Sequence, residues 1–305
     1  MTAELLTPAR IGGVTTTPLG LGTARLGAFW QGRSPADGAR TLETALDLGV
    51  TLIDTADVYA RGLAERLVGR AVRRRPDVTV MTKVGLLKTP RGLAHSARVS
   101  GRVPSFSGLK AATRAGRDYS SAYVRRAAED CLRRQGREAL DVLLLHDPGA
   151  EDLRRGEFLE GVEALVDSGR VRAWGASVSS HDAAEAALEA PGLSWLQMPV
   201  NPLVGGPSKE LAAAAEKKNV SIIGLAVLGD GTLIPRLRET GVPPAEIAAR
   251  LAGRAQAQDG VSGVLLGMSS ASHAYANLAA VLRGAAERPS PAIDAVLEKL
   301  GRTGK

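Results

Sequence analysis

Asp54, Tyr59, Lys83 and His146 are the residues of this chain whose types and positions together point to chemistry. They lie in the runs Thr51-Leu-Ile-Asp-Thr-Ala-Asp-Val-Tyr59, Val80-Met-Thr-Lys83 and Val142-Leu-Leu-Leu-His-Asp-Pro148, each at or just past the end of a short apolar stretch. A carbonyl that accepts a hydride becomes an alkoxide, and that oxygen needs a proton from a positioned acid. A free phenol, with a pKa of about 10, is a poor donor at neutral pH, but a nearby ammonium favours its ionised form. Lys83 can bring that charge to Tyr59, Asp54 can hold and balance Lys83, and His146 can hydrogen-bond the substrate oxygen and orient it. In the reverse direction Tyr59 becomes the base. Each residue alone has a blander reading: a packed ring, a helix cap, a structural imidazole. A lysine that ends a buried strand is less common and carries more weight.

Short apolar runs that read as buried strands must carry these groups. Pro18–Gly22, Thr51–Asp54, Val78–Thr82, Leu140–Leu145, Val171–Ser177, Ser194–Met198, Ser221–Leu225 and Ser262–Leu266 have that character. Between and after them, helical spacing recurs over Pro35–Gly49, Leu63–Arg74, Ala122–Gln135, Asp152–Ser168, His181–Leu188, Ser208–Lys218, Pro244–Gln258 and Ser272–Arg288. Strand and helix alternating eight times predict an α/β fold, a closed (β/α)8 TIM barrel, as one domain over residues 1–305. Barrel active sites occupy the C-terminal ends of the strands, so the four residues should meet at one rim.

The chain has 305 residues, 44% of them hydrophobic, which is enough for a large core. No run approaches the roughly 20 apolar residues that span a bilayer, and the N-terminus shows no secretory pattern, so a cytoplasmic setting and no membrane partner are expected. The net charge of +7 comes mainly from arginines spread over helices, as in Arg73-Arg74-Arg75, and lacks the stripe of a nucleic-acid surface. Cys131 is the single cysteine and sits in a helical pattern, as a packed core thiol would. His95 and His181 lack metal-ligand spacing, so no metal is expected. The stretch from Val84 to Arg117 has no convincing periodicity, carries seven basic residues and no acidic one, and follows the strand bearing Lys83. It reads either as a solvated surface loop or as a lid over an anionic group. Phe29 and Trp30, after the first strand, read either as a flat apolar substrate wall or as simple loop packing, and Phe106, in the basic stretch, is the candidate for the opposite wall. Arg25, close after the first strand, reads as a surface residue, with contact to an anionic substrate as the alternative.

With these residues in view, the chain resembles the aldo-keto reductases across nearly its full length. Asp54-Thr-Ala-Asp-Val-Tyr59, Thr82-Lys83 and Leu144-Leu-His146 resemble the segments that carry that family's catalytic residues, and Gly62-Leu-Ala-Glu-Arg-Leu-Val-Gly69 resembles the stretch after its tyrosine. The resemblance implies that Tyr59 is the general acid/base, tuned by Lys83 and Asp54, with His146 orienting the carbonyl. The run Lys83-Val-Gly-Leu-Leu with Leu145-His-Asp-Pro148 is most similar to the aldose-dehydrogenase and pyridoxal-dehydrogenase-like branch.

The resemblance also implies an extended nicotinamide dinucleotide, NADP(H) by preference with NAD(H) as the alternative. Its contacts would fall at Gly22, Thr23, Ser177, Gln197, Leu225, Leu228, Gly229, Gly267, Ser269, His273 and Asn277. Several positions depart from the family pattern: Val178 stands where an asparagine usually holds the carboxamide, Leu225 where an aromatic ring usually stacks. His273, with Ser269 and Ser270, stands where basic residues often grip a 2′-phosphate, and Ala276 where an acid often binds adenine. The expected activity is interconversion of an aldehyde or ketone with an alcohol, on a small-molecule carbonyl such as a sugar or a specialised metabolite. Two alternatives stay open on the altered dinucleotide side: a redox-neutral lyase or isomerase on the same barrel, and a non-catalytic regulatory barrel. The oligomeric state is open.

Overall fold

Residues alternate between two faces along each strand, and here the two faces are two separate cores. The computed structural model describes residues 4–26, 34–87 and 116–303. Among these, β3 (Leu19–Gly22), β4 (Leu52–Asp54), β5 (Thr79–Val84), β6 (Leu140–His146), β7 (Val171–Ser177), β8 (Trp195–Pro199), β9 (Ser221–Leu225) and β10 (Val261–Gly267) close into a parallel barrel in chain order. β10 pairs with β3 through Val264↔Leu19 to Gly267↔Gly22, which completes the ring. The outer faces pack against helices. The inner faces of Leu52, Met81, Val142, Leu144, Trp195, Ile223 and Leu265 form a dry plug with Ile11.

Ile11 belongs to a feature the sequence reading missed. Ala9–Ile11 (β1) and Val14–Thr16 (β2) pair as an antiparallel hairpin under the barrel, where a plain Gly- and Thr-rich lead was expected. Gly12 and Gly13 both have positive φ, +53° and +85°, as a two-residue hairpin turn requires. A Cβ at Gly12 would lie 2.2 Å from Trp195, so the turn seats directly on the wholly buried indole. Its N–H donates to Ser221 Oγ at 2.8 Å.

The helices begin where cap residues allow. Helix α1 (Pro35–Asp47) starts at Ser34, whose hydroxyl accepts from the Asp37 N–H while the Asp37 carboxylate accepts from the Ser34 N–H, a reciprocal cap worth about 1 kcal/mol. Helix α2 (Leu63–Val72) and helix α3 (Ser121–Gln135) follow the strands of Asp54 and Lys83. Two expected helices need correction. Asp152–Ser168 is two helices, α4 (Ala150–Arg155) and α5 (Leu159–Asp167), because the chain turns left-handed at Gly156, φ +66°. The last expected helix, Ser272–Arg288, stops early: after α6 (His181–Glu189), α7 (Lys209–Lys217), α8 (Leu233–Leu237) and α9 (Pro244–Gln256), α10 covers Ala271–Leu282. A further helix, α11 (Pro291–Thr303), follows the proline that ends the linker.

Phe29, Trp30 and Phe106, and nearly all of the long basic stretch, lie outside the described residues. On either side of residues 88–115 the chain is zipped together: Leu86 bridges Arg117, the Leu87 N–H donates to Gly116 O at 2.7 Å, and the Asp118 N–H donates to Gly85 O at 2.9 Å. No helix among the described residues is long and apolar enough to cross a membrane.

Candidate active site

The inner face of the barrel generates the site by a simple register rule. Asp54, Lys83, His146, Gln197, Leu225 and Gly267 each stand two residues beyond Leu52, Met81, Leu144, Trp195, Ile223 and Leu265 of the plug. A period of two keeps both members of each pair on the inner face. The apolar layer is therefore the floor, and the next layer up is the chemistry.

Lys83 is the centre of that layer, with 2% of its side chain exposed. Its Nζ donates to Asp54 Oδ1 at 2.5 Å and Oδ2 at 2.6 Å, to Thr55 O at 3.1 Å and to Tyr59 Oη at 3.4 Å. Burial works against the ammonium, but the Asp54 charge and then Tyr59 outweigh it, so Lys83 holds its proton above the ordinary lysine range. Gln197 reaches across from the opposite wall, and its Nε2 donates to Asp54 Oδ1 at 2.8 Å. Asp54 thus collects three donated bonds inside the barrel, the condition under which a buried carboxylate is tolerated. The Tyr59 and His146 rings meet edge to face, 5.8 Å between centroids at 88°.

Tyr59 is not on a strand. It opens a turn in which Ala60, Arg61 and Gly62 all have positive φ, at 46°, 56° and 87°. Two of these are non-glycine residues held in a sparsely populated region, a cost of about 1–3 kcal/mol each that persists where surrounding structure enforces it. The enforcing contacts lie outside the barrel. Glu65, wholly buried on α2, accepts from Thr82 Oγ1 at 2.7 Å and from Gln135 Nε2 at 3.2 Å, and pairs with Arg134. Thr82 faces outward between Met81 and Lys83, so this carboxylate ties the turn-bearing helix to the strand of Lys83.

The four residues line one pocket with a cavity volume of about 180 Å³. Of the expected dinucleotide contacts, Gly22, Ser177, Gln197, Leu225, Leu228 and Gly267 line it as well. Thr23 and Gly229 are buried just behind, while Ser269, His273 and Asn277 stand on or before α10 and are not part of its wall. Ser269 Oγ and His273 Nδ1 are 3.0 Å apart, and Ser270 caps the helix. Val178 is turned into the outer core, its N–H donating to Gln197 O at 2.8 Å. It therefore offers no apolar contact in place of a missing amide. Arg25 is corrected in the other direction: it lines the pocket, and its Nη2 donates to Asp230 O at 3.4 Å. Asp230 and Gly231 line it too and were missed, since nothing in Gly229-Asp-Gly231 reads as more than a turn.

A nicotinamide fits what is present. Gln197 Oε1 is buried without a hydrogen-bond partner, beside the rim hydroxyl of Ser177, and an amide N–H₂ would satisfy it. Gly22 and Gly267 are register partners, so that stretch of wall has no side chains to obstruct a flat ring. Among the described residues no group of acidic, His or Cys side chains could hold a metal ion.

The model of the Aldo/keto reductase family matches residues 18–239. The chain belongs to that family. Pyridoxal 4-dehydrogenase of Microbacterium luteolum is 31% identical over 263 residues, 78% of this chain and 76% of that protein. D-threo-aldose 1-dehydrogenase of a Pseudomonas species is 26% identical over 238 residues, 74% and 70% of the two chains. Both agree with the branch that the sequence around Lys83 and His146 resembles. An aldo-keto reductase from Bacillus halodurans, in its holo form, shares the fold at TM-score 0.70 and 24% identity, covering 96% of each chain. One from Klebsiella pneumoniae, in complex with NADPH, matches at TM-score 0.68 and 25% identity over 98% of this chain and 95% of that one. Membership in the aldo/keto reductase family makes this protein an NAD(P)H-dependent oxidoreductase of carbonyl and alcohol groups.

Proposed function

We propose that the protein interconverts a small aldehyde or ketone with its alcohol, with Tyr59 as the general acid/base and NADP(H) as the preferred dinucleotide. The observation that carries this reading is the Lys83 ammonium, held by both oxygens of Asp54 and 3.4 Å from Tyr59 Oη. The carbonyl oxygen lies between Tyr59 and His146 and accepts hydrogen bonds from both. As charge grows on that oxygen Tyr59 gives up its proton, and Lys83 stabilises the phenolate left behind. Asp54 keeps Lys83 charged and fixed, so no long side chain must reorganise during the step. In alcohol oxidation the same phenolate takes the proton back.

The nicotinamide supplies or takes the hydride when bound. Gln197 and Ser177 would hold its carboxamide, and Leu225 with the paired glycines Gly22 and Gly267 would form the wall beside it. Thr23, Leu228 and Gly229 would contact the rest of the dinucleotide, with Ser269, His273 and Asn277 toward its adenosine phosphate. NADP(H) is favoured because the solved relative from Klebsiella pneumoniae is a complex with NADPH. The relatives named for pyridoxal and aldose oxidation favour a polar ring-sized substrate, a sugar or a specialised-metabolite carbonyl.

Tyr59→Phe tests the assignment. Turnover should fall by about 10²–10⁴, the usual share of a positioned acid, while titration of the protein with NADPH gives an unchanged Kd. Retained turnover removes Tyr59 from the role. A thermal-shift series with NADPH and NADH checks the partner: a ligand at 100 times its Kd adds about 2.7 kcal/mol of stability, and no shift with either nucleotide overturns the dinucleotide part.

A further inference from the structure

His146 carries an orienting role, yet its ring stands at the last residue of β6, where a strand frays into a loop. What fixes it lies in the next peptide. Asp147 has φ +58°, left-handed for a non-glycine residue, so the chain reverses immediately after the histidine. The peptide unit that joins the two is gripped at both ends. Its N–H donates to Ser177 O at 2.7 Å, and its carbonyl, that of His146, accepts from the Tyr119 hydroxyl at 2.8 Å. The Asp147 side chain is buried and paired with Arg117 Nη2 at 2.8 Å.

Tyr119 is built into this place. It is 7% exposed, and a Cβ at Gly85 would lie 2.2 Å from its ring. Gly85, at φ +119°, therefore leaves the space that the ring fills, two residues beyond Lys83. The ring leans on the exit of the strand that presents Lys83, while its hydroxyl fixes the exit of the strand that presents His146. Burial drives the phenol well above its ordinary range, so the hydroxyl stays a donor at every working pH.

We propose that Tyr119, supported by the Arg117–Asp147 pair, is a positioning residue that sets the angle of the His146 ring against the carbonyl. It is not among the residues that line the pocket. Its side chain acts on the peptide plane from which the His146 side chain springs, and a misplaced orienting group is costly even at small displacements. The proposal rests on the reading of His146 as the group facing the carbonyl oxygen.

Tyr119→Phe removes the hydroxyl and keeps the ring over Gly85. The full chain with NADPH bound should show four results. The His146 ring resonances move in nitrogen–proton spectra, readily assigned because the chain holds four histidines. The kcat for carbonyl reduction falls about tenfold. The Kd for NADPH stays the same. In the His146→Ala background the same change causes no further loss, since a residue acting through another is not additive with it. Unmoved His146 resonances, or a loss that adds fully to that of His146→Ala, overturns the proposal. If Tyr119→Phe does not fold, Asp147→Asn, which removes the pair and tolerates the left-handed turn, gives the same readings. Moved resonances in Tyr119→Phe, alongside a wild type that turns over no carbonyl, would instead sink the functional reading and leave the positioning role standing.

Discussion

The two walls of the pocket are made of different material. On β4 to β6 stand Asp54, Lys83 and His146, buried ionisable groups: Asp54 holds Lys83 and accepts from Gln197, and Lys83 and His146 both contact Tyr59. On β9, β10 and β3 stand Leu225, Leu265, Gly267 and Gly22, with no charge on any of them; the charged Arg25 and Asp230 line this side only from the turns beyond β3 and β9. The contrast teaches where this barrel spends its electrostatics. A proton donor needs a fixed charge at short range, and a buried charge needs partners, so every polar contact that one wall acquires calls for another. A ring that carries hydride needs a flat, dry face and an amide anchor, and the proposed function assigns these to glycines, a leucine and one glutamine. Polar chemistry is crowded on one side because it is self-propagating, and the strands of the other side are blank for the same reason.

The largest effect should come from breaking the crowded wall at its centre. Lys83→Met leaves Asp54 buried without its cation, a loss of about 3–5 kcal/mol by comparison with other broken buried pairs. Activity should vanish with it. Lys83→Met combined with Asp54→Asn removes both charges, so much of the stability should return while activity does not, as denaturant unfolding and steady-state kinetics would show. Stability that fails to return would mean the pair also holds the rim in shape. The pH sign follows from the lysine. Its folded-state pKa lies above the ordinary 10.5, so its stabilisation is complete below that value and lost as pH rises through the folded one. Unfolding profiles from pH 9 upward should therefore drop more steeply for the wild type than for the double variant, and parallel profiles would contradict the assigned direction.

Gln197 joins the two walls, and its removal is the next effect in size. Gln197→Leu deprives Asp54 Oδ1 of one donor, which costs about 1–3 kcal/mol for a buried acceptor left short. It also strips the proposed carboxamide anchor. Both stability and NADPH affinity should fall, whereas a residue serving only as an anchor would weaken binding and leave the unfolding midpoint in place.

How much of this contrast was legible in the sequence follows from the same division. The acid/base side was readable because Asp54, Lys83 and His146 end apolar strands, and a charge at the end of a buried strand is conspicuous. The barrel was readable from alternation, and the register rule of two residues, Leu52 to Asp54 or Met81 to Lys83, is already present in the letters. The dinucleotide side was read through a family resemblance, and the fold sorts its residues: Ser177, Gln197, Leu225 and Gly267 line the pocket, while Val178 turns away from it. No periodicity distinguishes those outcomes, since a residue after a strand can face either core depending on the turn that follows. Arg25 looked like a surface arginine for a similar reason, because only the fold brings Asp230 opposite it. Tyr119 was invisible. Its role needs Gly85 to vacate a space and the peptide after His146 to point a carbonyl at it, and neither is written near position 119. Glu65 reads as one more helix acid, although it is wholly buried against Thr82 and Arg134.

The smallest predicted effect tests whether the blank wall is impoverished or merely shaped for aliphatic contact. Leu225 lines the pocket at the end of β9, half-buried, on the inner face above Ile223. Leu225→Phe would add an aromatic face where the family usually stacks one. A stacked pair is worth about 0.5–1.5 kcal/mol beyond its area, so NADPH should bind up to roughly tenfold more tightly, as fluorescence titration would record. The change leaves Asp54, Lys83, Tyr59 and His146 untouched, so the chemical step measured in single turnover should hold its rate. If affinity rises while turnover at saturating substrate slows, tighter binding has moved the limiting step to dinucleotide release, and the leucine is then best understood as a device for letting the product nucleotide go. If affinity falls, the wall is shaped around the leucine, and the two sides of the pocket are equally specific by different means.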